Sequence, residues 1–190
     1  MLALAEYARD AALREWILAF KHGGRSDLAP VLGGALGVRL AERRAADPGS
    51  ARALLVPIPL HPRRRFERGY DQARLLAHAA ARVEGLEVRA LLARTRATLP
   101  QGSPFAPERA ANVRGAFRLA RGATRRLHGR EVWLVDDVLT SGATANACAE
   151  LVCAAGAARA RVLVLARAER QRDGRSAAYA VNEREEVHLG

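Results

Sequence analysis

Two adjacent acids and a hydroxyl-rich turn stand side by side in the second half of the chain. Asp136 and Asp137 follow the apolar run 132–135, and the turn Thr140-Ser141-Gly142-Ala143-Thr144 comes after two more apolar residues. The apolar run predicts a strand over 131–136, and the alanine-rich segment behind the turn predicts a helix over 144–155. The two acids therefore end a strand, at the edge where α/β sheets bind their ligands.

The turn has the chemistry of a phosphate site. Backbone N–H groups at a helix N-terminus carry partial positive charge, and a glycine lets the chain fold into an anion-binding nest. Because carboxylates repel a phosphate, the two acids must each contact another group of the ligand. Sugar hydroxyls donate hydrogen bonds, which carboxylates accept. The combination predicts a ribose 5-phosphate site, with Asp136 and Asp137 on the diol and Thr140 to Thr144 on the phosphate. The alternative is an ordinary helix N-cap beside a solvated acid pair.

A second polar segment, HPRRRFERGYDQ, follows a strand predicted over 53–58 and is itself predicted as a basic loop. Guanidinium groups bind pyrophosphate bidentately, and a glycine exposes a further N–H group. The other readings are a solvated basic loop, or a surface on which Phe66 and Tyr70 stack the bases of a single strand. The candidate pyrophosphate ligands are Arg63, Arg64, Arg65, Arg68 and Gly69.

Residues 94–115 form the longest stretch without periodicity. A loop of this length is typical of a functional lid or of a disordered segment. A lid would close over bound pyrophosphate and exclude water. The polar residues expected to act in this hood loop are Arg94, Arg96, Gln101, Arg109, Asn112 and Arg114.

The rest of the chain alternates helical and strand patterns, which predicts an α/β fold with a largely parallel sheet. Further helices are predicted over 4–21, 27–45 and 72–83, and further strands over 86–92, 115–120 and 160–166. An N-terminal helical segment, 1–50, is expected to pack on the core at 51–168, and residues 169–190 form a charged tail.

The charge balance is strongly basic. The formal net charge is +11, and Lys21 is the sole lysine among 31 basic residues. The arginines indicate either a polyanionic partner or a coding bias that runs along the whole chain. Cys148 and Cys153 are expected to be buried thiols, not a disulfide or a metal site. No leader or membrane span is evident, so a soluble cytoplasmic protein with no membrane insertion is expected.

Taken together, the motifs resemble a known family. FKHGGRSDLAPVL, VPIPLHPRRRFERGYDQARLLA, RTRATLPQ, RAANVRGAF and the acidic segment are similar, in order and content, to the competence protein F (ComF) family of type I phosphoribosyltransferase-like proteins. The resemblance implies a phosphoribosyl pyrophosphate ligand with Mg²⁺, a pyrophosphate-facing loop over 60–69 and a mobile hood. Family members often begin with a cysteine-rich zinc module, but no cysteine precedes Cys148, so no zinc is expected.

Two functions stay open. The first is a binding protein that handles single-stranded DNA during competence and DNA uptake, and the family resemblance favours it. The second is an active Mg²⁺-dependent phosphoribosyltransferase, a pentosyl-transferring glycosyltransferase that acts on a nucleobase or related acceptor. The segment after the last predicted strand lacks an apolar pocket wall for a base, which disfavours the transferase. The oligomeric state, with a dimer among the options, also stays open.

Overall fold

The computed structural model describes residues 1–6, 10–47, 52–95 and 115–168. Within these ranges the strands are β1 (Leu2–Glu6), β2 (Ala53–Pro57), β3 (Glu87–Val88), β4 (Leu92–Arg94), β5 (Phe117–Leu119), β6 (Glu131–Leu139) and β7 (Arg159–Arg167). The helices are α1 (Ala11–His22), α2 (Ala29–Ala45), α3 (Pro62–Arg68), α4 (Gln72–Glu84), α5 (Ala123–Leu127) and α6 (Ala143–Ala154).

The central sheet is parallel throughout, in the order β1-β7-β6-β2-β3. Strands β4 and β5 pair separately as a small antiparallel unit. This architecture confirms the predicted α/β fold. Its middle strands are continuous apolar runs, because a parallel strand covered on both faces buries every side chain. Leu54, Leu55 and Val56 of β2 are fully buried.

Each face of the sheet has its own apolar core. Helices α1, α2 and α4 cover one face, where Phe20, Leu36 and Leu76 meet Trp133 of β6. The other face is covered by α5, α6 and the β4–β5 unit, and its core contains Cys148 and Leu134. The sheet is therefore held between two packed layers.

Two glycines set the distance between α2 and α4. A Cβ added to Gly33 would lie 2.4 Å from Ala79 Cβ, and one added to Gly37 would lie 2.4 Å from Val83 Cγ2. Such distances are far inside van der Waals contact, so only glycine lets the two helices come this close. The two glycines therefore allow α2 and α4 to pack closely on the same face of the sheet.

The N-terminus differs from its prediction. The helix expected from residue 4 begins at Ala11, where the Asp10 carboxylate accepts the Leu13 N–H at 2.9 Å. Residues 2–6 instead form β1, which pairs with β7 at the sheet edge, Leu2 opposite Leu163. Apolar residues at 2 and 4 fit a strand as well as a helix, and the open edge of β7 decides between them.

The basic segment after β2 is also not a loop. It forms the helix α3, with Pro62 at its start and Gly69 ending it in the left-handed region at φ 77°. His61 Nδ1 accepts the Arg63 N–H at 3.2 Å, and Arg63 Nε lies 2.9 Å from Glu67 Oε1 one turn later. The cap, the proline and the pair of opposite charges together stabilise this helix of about two turns.

Smaller differences affect the remaining elements. The strand predicted over 86–92 divides into β3 and β4, and α5 had not been predicted. The strand predicted over 131–136 continues to Leu139, because Val138 and Leu139 still pair with β7. Cys148 is buried as expected, but Cys153 is exposed. The helices predicted over 27–45, 72–83 and 144–155 are confirmed to within two residues.

Two predicted segments lie outside the described residues. They are most of the hood loop, 96–114, and the charged tail, 169–190. None of the helices in the described ranges is long and apolar enough to cross a lipid bilayer.

Candidate functional site

The polar segments found in the sequence meet at the carboxyl edge of the sheet. Strands β2 and β6 are parallel neighbours, with Pro57 opposite Val135 near their carboxyl ends. The acid pair and the turn extend β6, while α3 follows β2 after a short connection. Since parallel strands end at the same edge, the chain places both segments over one crevice.

The turn between β6 and α6 is open. Gly142 is the N-cap of α6 at φ 80°, and a Cβ built there would meet no atom within 4 Å. A glycine cap brings no side-chain oxygen to the first-turn amides, although Ser141 Oγ accepts the Ala143 N–H at 3.4 Å. The helix start at Ala143 and Thr144 thus has the geometry of an anion site, and the partial positive charge of its N-terminus favours a phosphate.

The two acids do not act as one unit. Successive side chains of a strand point to opposite faces, and β6 continues through both residues. Asp137 is buried on the α1 side, where its Oδ1 lies 3.0 Å from Lys21 Nζ and accepts the Val138 N–H at 2.6 Å. Asp136 lies on the other face, within electrostatic range of Cys148 and Arg94.

Asp136 is the most perturbed carboxyl group of the site. Burial and the negative charge of Asp137 raise the pKa of Asp136 from 3.8 to about 7. The Asp137 N–H, which Asp136 Oδ1 accepts at 2.8 Å, and the charge of Lys21 act in the opposite direction without cancelling the rise. A carboxylate that is held in so unfavourable an environment is stabilised by any donor or cation that arrives beside it.

Arg94 is the one hood residue of the prediction that the described ranges contain. It lies on β4 with its Cζ 5.3 Å from the centre of the Phe117 ring. Burial and the charge of Arg64 lower the pKa of Arg94, while the charge of Asp136 raises it. The base of the hood therefore contributes a guanidinium group to the neighbourhood of both Asp136 and α3.

Helix α3 separates the predicted pyrophosphate ligands into two groups. Arg64 and Arg68 are one turn apart, and they line a cavity of about 520 Å³ together with Lys21, His22 and Glu67. We name this the α1–α3 cavity. Burial, then the charges of Arg68 and Lys21, lower the pKa of His22, which indicates a positive potential there.

The other face of α3 belongs to a second cavity. Arg65, Phe66 and Gly69 line a space of about 690 Å³ whose opposite wall contains Leu92 and Arg94 of β4. We name this the α3–β4 cavity. Arg63 faces neither space, since its guanidinium is paired with Glu67. The sequence predicted one group of ligands, but the 3.6-residue helical period distributes them over different faces.

The two aromatic residues of the segment also separate. Tyr70 donates its hydroxyl to the Phe20 carbonyl oxygen, and the two rings lie 5.7 Å apart, so Tyr70 is a core residue. Phe66 is 90% exposed. Stacking of bases, which the sequence offered for both residues, is sterically open to Phe66 alone of this pair.

Sequence reasoning missed Lys21 as a site residue. It lies 116 positions before Asp137, at the end of α1, and connects the acid pair with the α1–α3 cavity. A signal was present, because a single lysine in a chain that otherwise uses arginine marks a place where a compact ammonium group is preferred.

The parallel sheet and the acid pair with its glycine turn define a type I phosphoribosyltransferase-like protein. No protein-family model matches the chain. The chain is 32% identical over 168 residues to the DNA utilization protein YhgH of Escherichia coli K12, across 88% of this chain and 71% of that protein. It is 35% identical over 115 residues to competence protein F of Haemophilus influenzae, across 60% of this chain and 50% of that protein. The chain belongs to the ComF family, as its motifs predicted.

Solved structures with a similar chain trace include two enzymes. One is the glutamine phosphoribosylpyrophosphate amidotransferase from Bacillus subtilis, with a TM-score of 0.49 and 20% identity over 78% of this chain and 30% of that one. The other is described as the allosteric regulatory enzyme of purine biosynthesis, with a TM-score of 0.47, 18% identity and the same coverage, 78% and 30%.

Proposed function

We propose that the carboxyl edge of the sheet binds phosphoribosyl pyrophosphate, or another ligand with a ribose 5-phosphate group, and that the protein handles single-stranded DNA in the cytoplasm. The observation that supports this ligand is the half-buried carboxyl group of Asp136, whose pKa is raised, beside the open, glycine-capped start of α6. A phosphate fits the helix start, and the ribose hydroxyls reach the carboxylates. Each group of the ligand then meets its electrostatic complement.

The two acids would share the sugar unequally. Asp136 has the raised pKa and therefore gains most from a hydroxyl donor or a cation. Asp137 is already paired with Lys21 and the Val138 N–H, which fix its orientation. We therefore assign Asp136 to direct contact with the diol, and Asp137 to a contact that Lys21 positions.

The α1–α3 cavity is the best-matched place for the pyrophosphate. Among the described residues that line it, Lys21, Arg64 and Arg68 are cationic, and the one carboxylate, Glu67, is paired with Arg63. Mg²⁺, when bound with the ligand, neutralises part of the pyrophosphate charge. The residues present fit such an ion, because Asp136 is an oxygen ligand whose charge lacks compensation.

The DNA role draws on the relatives and on charge. The names of two relatives refer to DNA utilization and to competence. The formal net charge of +11 attracts a polyanion, and the basic helix α3 stands at the edge where the ligand binds. A phosphoribosyl ligand at that edge would then act as a regulator or as a mimic of a nucleotide end.

Calorimetric titration with phosphoribosyl pyrophosphate, with and without Mg²⁺, tests the ligand. Binding is expected with Mg²⁺, and Asp136→Asn is expected to weaken it at least about ten-fold, because a charged hydrogen bond is lost. Asp27→Asn is the matched control, since it changes an exposed carboxylate on another element, where Asp27 is paired with Arg25. No binding, or equal affinity in Asp136→Asn, would contradict the assignment.

The DNA role has its own measurement. Binding of an oligothymidylate should weaken steeply with salt, with a slope that counts the phosphates contacted. Asp136→Asn should leave this binding intact if the ribosyl site regulates rather than holds the strand. Release of pyrophosphate in the presence of a nucleobase panel would instead identify a transferase.

A further inference from the structure

The α3–β4 cavity plays no part in the ribosyl site proposed above. It has about 690 Å³ of space, between the second face of α3 and the start of the hood. Much of its wall is flat and apolar, formed by Pro57, Pro59, Leu60, Pro62 and Phe66. Proline rings and the phenylalanine ring present apolar faces without hydrogen-bonding groups, and the planar phenylalanine ring suits stacking by another planar ring.

Phe66, which lines this cavity, is unusually exposed for an aromatic residue. It is 90% exposed, while Tyr70 four residues later is packed into the core. An aromatic ring that faces water has a higher free energy than one that another ring covers, so stacking on Phe66 is favourable. Helical spacing places Phe66 on the same face of α3 as Pro62 and Gly69, so its ring is directed along this cavity wall.

The polar groups of the cavity are mainly cationic. Within the described part of the chain, three arginines, Arg65, Arg74 and Arg94, line it against one acid, Asp71. Asp71 is the N-cap of α4, and its Oδ1 accepts the Arg74 N–H at 3.0 Å. Arg94 is held over the Phe117 ring at the inner end. The occupant should therefore combine a planar apolar body with negative charge at its ends.

We propose that the α3–β4 cavity holds one nucleobase of a single-stranded nucleic acid, stacked on Phe66, with the adjoining phosphates on Arg65 and Arg74. The inference rests on the DNA role proposed above, and it adds the side of α3 on which the strand lies. Stacking on an aromatic ring accepts every base, since each base has a π-face, so sequence-independent binding follows.

A free nucleotide has the same chemical groups as one unit of a strand. The dependence of affinity on the length of the nucleic acid must therefore distinguish a free nucleotide from a strand. A strand crosses the cavity with phosphates on both sides of the base, whereas a mononucleotide carries its charge on one side only. Strand affinity should therefore exceed that of thymidine monophosphate by at least about 100-fold at low salt, since each phosphate contact adds to binding.

The test uses the full chain and a twelve-nucleotide oligothymidylate with one central 2-aminopurine. Binding is measured by anisotropy, and stacking by the quenching of the 2-aminopurine. Phe66→Ala is expected to weaken binding about ten-fold and to abolish the quenching, because one base–ring contact disappears. Phe66→Trp should restore both. Because Phe66 is almost fully exposed, neither change should alter the fold.

Two controls separate stacking from charge. Val31→Ala removes another exposed apolar side chain, on α2, and should change nothing. Phe66→Ala should leave the salt slope unchanged, while Arg65→Ala should reduce it by about one. An abasic strand should bind the wild type and Phe66→Ala equally, since it has no base to stack.

Several results would overturn the inference. Unchanged quenching in Phe66→Ala would place the base elsewhere while the DNA role stands. Thymidine monophosphate binding as tightly as the strand would identify a free-nucleotide site. If the wild type binds no strand at any salt concentration, the DNA role fails together with the cavity assignment, whereas phosphoribosyl pyrophosphate binding remains separately measurable.

Discussion

The two edges of the central sheet use arginine in opposite ways. At the amino edge, where the strands begin, Arg130 pairs with Glu87, and Arg161 pairs with Asp47 at 2.6 Å. At the carboxyl edge, no carboxylate of the described residues lies within 4 Å of Arg64, Arg65 or Arg68. A half-buried acid with a raised pKa, Asp136, lies at that same edge.

The difference separates a region whose charges stabilise the fold from a region whose charges fit the ligand proposed above. The pairs at the amino edge join Arg130, just before β6, to Glu87 of β3, and Arg161 of β7 to Asp47 after α2. At the carboxyl edge, cations and a carboxylate remain uncompensated, which lowers stability but leaves them ready for a partner. An arginine-rich composition therefore does not by itself identify a binding surface, because pairing decides which arginines are available.

The largest change in stability is expected when the contacts of Arg130 at the amino edge are removed. Arg130 donates to Glu87, to the Ala53 carbonyl oxygen at 3.1 Å and to the Arg52 carbonyl oxygen at 3.3 Å. Arg130→Met removes these bonds, and we expect the free energy of unfolding to fall by about 3 kcal/mol. Urea denaturation measures it, with the exposed Arg125→Met as control. Phosphoribosyl pyrophosphate affinity should not change, and a loss of affinity would show that the edges are coupled.

At the carboxyl edge, removal of a charge is expected to raise stability. The folded protein holds the Asp136 proton up to about pH 7, whereas the unfolded chain releases it near 3.8. The stability linked to this proton is therefore fully present below pH 4 and is lost as the pH rises to 7. Asp136→Asn, which cannot ionise, should be more stable than the wild type at pH 8, on the order of 2 kcal/mol.

Thermal or urea unfolding of the wild type and of Asp136→Asn at pH 4, 6 and 8 checks the direction of this pH dependence. The difference in the free energy of unfolding between variant and wild type should grow with pH, while the variant's affinity for phosphoribosyl pyrophosphate stays at least about ten-fold weaker than that of the wild type. A difference that is independent of pH would mean that Asp136 is not protonated in the folded state.

A substitution of Gly142 tests whether the turn before α6 takes part in ligand binding. A side chain at φ 80° is strained, so Gly142→Ala should lower the free energy of unfolding by about 1 kcal/mol and weaken ligand binding. Gly85→Ala is the matched control, because Gly85 ends α4 at φ 66° with equal open space around it. It should show the same loss of stability with full affinity. Equal affinities in both variants would remove the turn from the site.

The smallest change in stability is expected for Lys21. Lys21→Met breaks the pair with Asp137, and the free energy of unfolding should change by less than about 1 kcal/mol, because the pair is partly exposed. Since the Lys21 charge lowers the pKa of Asp136, its removal should raise that pKa further. The midpoint of ligand affinity against pH should therefore shift upward, whereas Lys21→Arg should keep it near the wild-type value.

Local patterns in the sequence determined much of this molecule. The strands β2, β6 and β7, the helices α2, α4 and α6 and the order of acid pair, glycine turn and helix follow from local hydrophobic patterns, which neighbouring residues set among themselves. The site proposed for the ribosyl group could be named from the sequence for the same reason, because its main residues lie within nine positions, from Asp136 to Thr144.

Only the tertiary structure decided the contacts between distant segments. Residues 2–6 became a strand because β7 offered an open edge, and Lys21 reached Asp137 because α1 packs across the end of β6. The separation of Arg64 and Arg68 from Arg65 and Phe66 depends on α3 lying between two cavities. Such pairings are chosen by packing over long sequence separations, which no local period encodes.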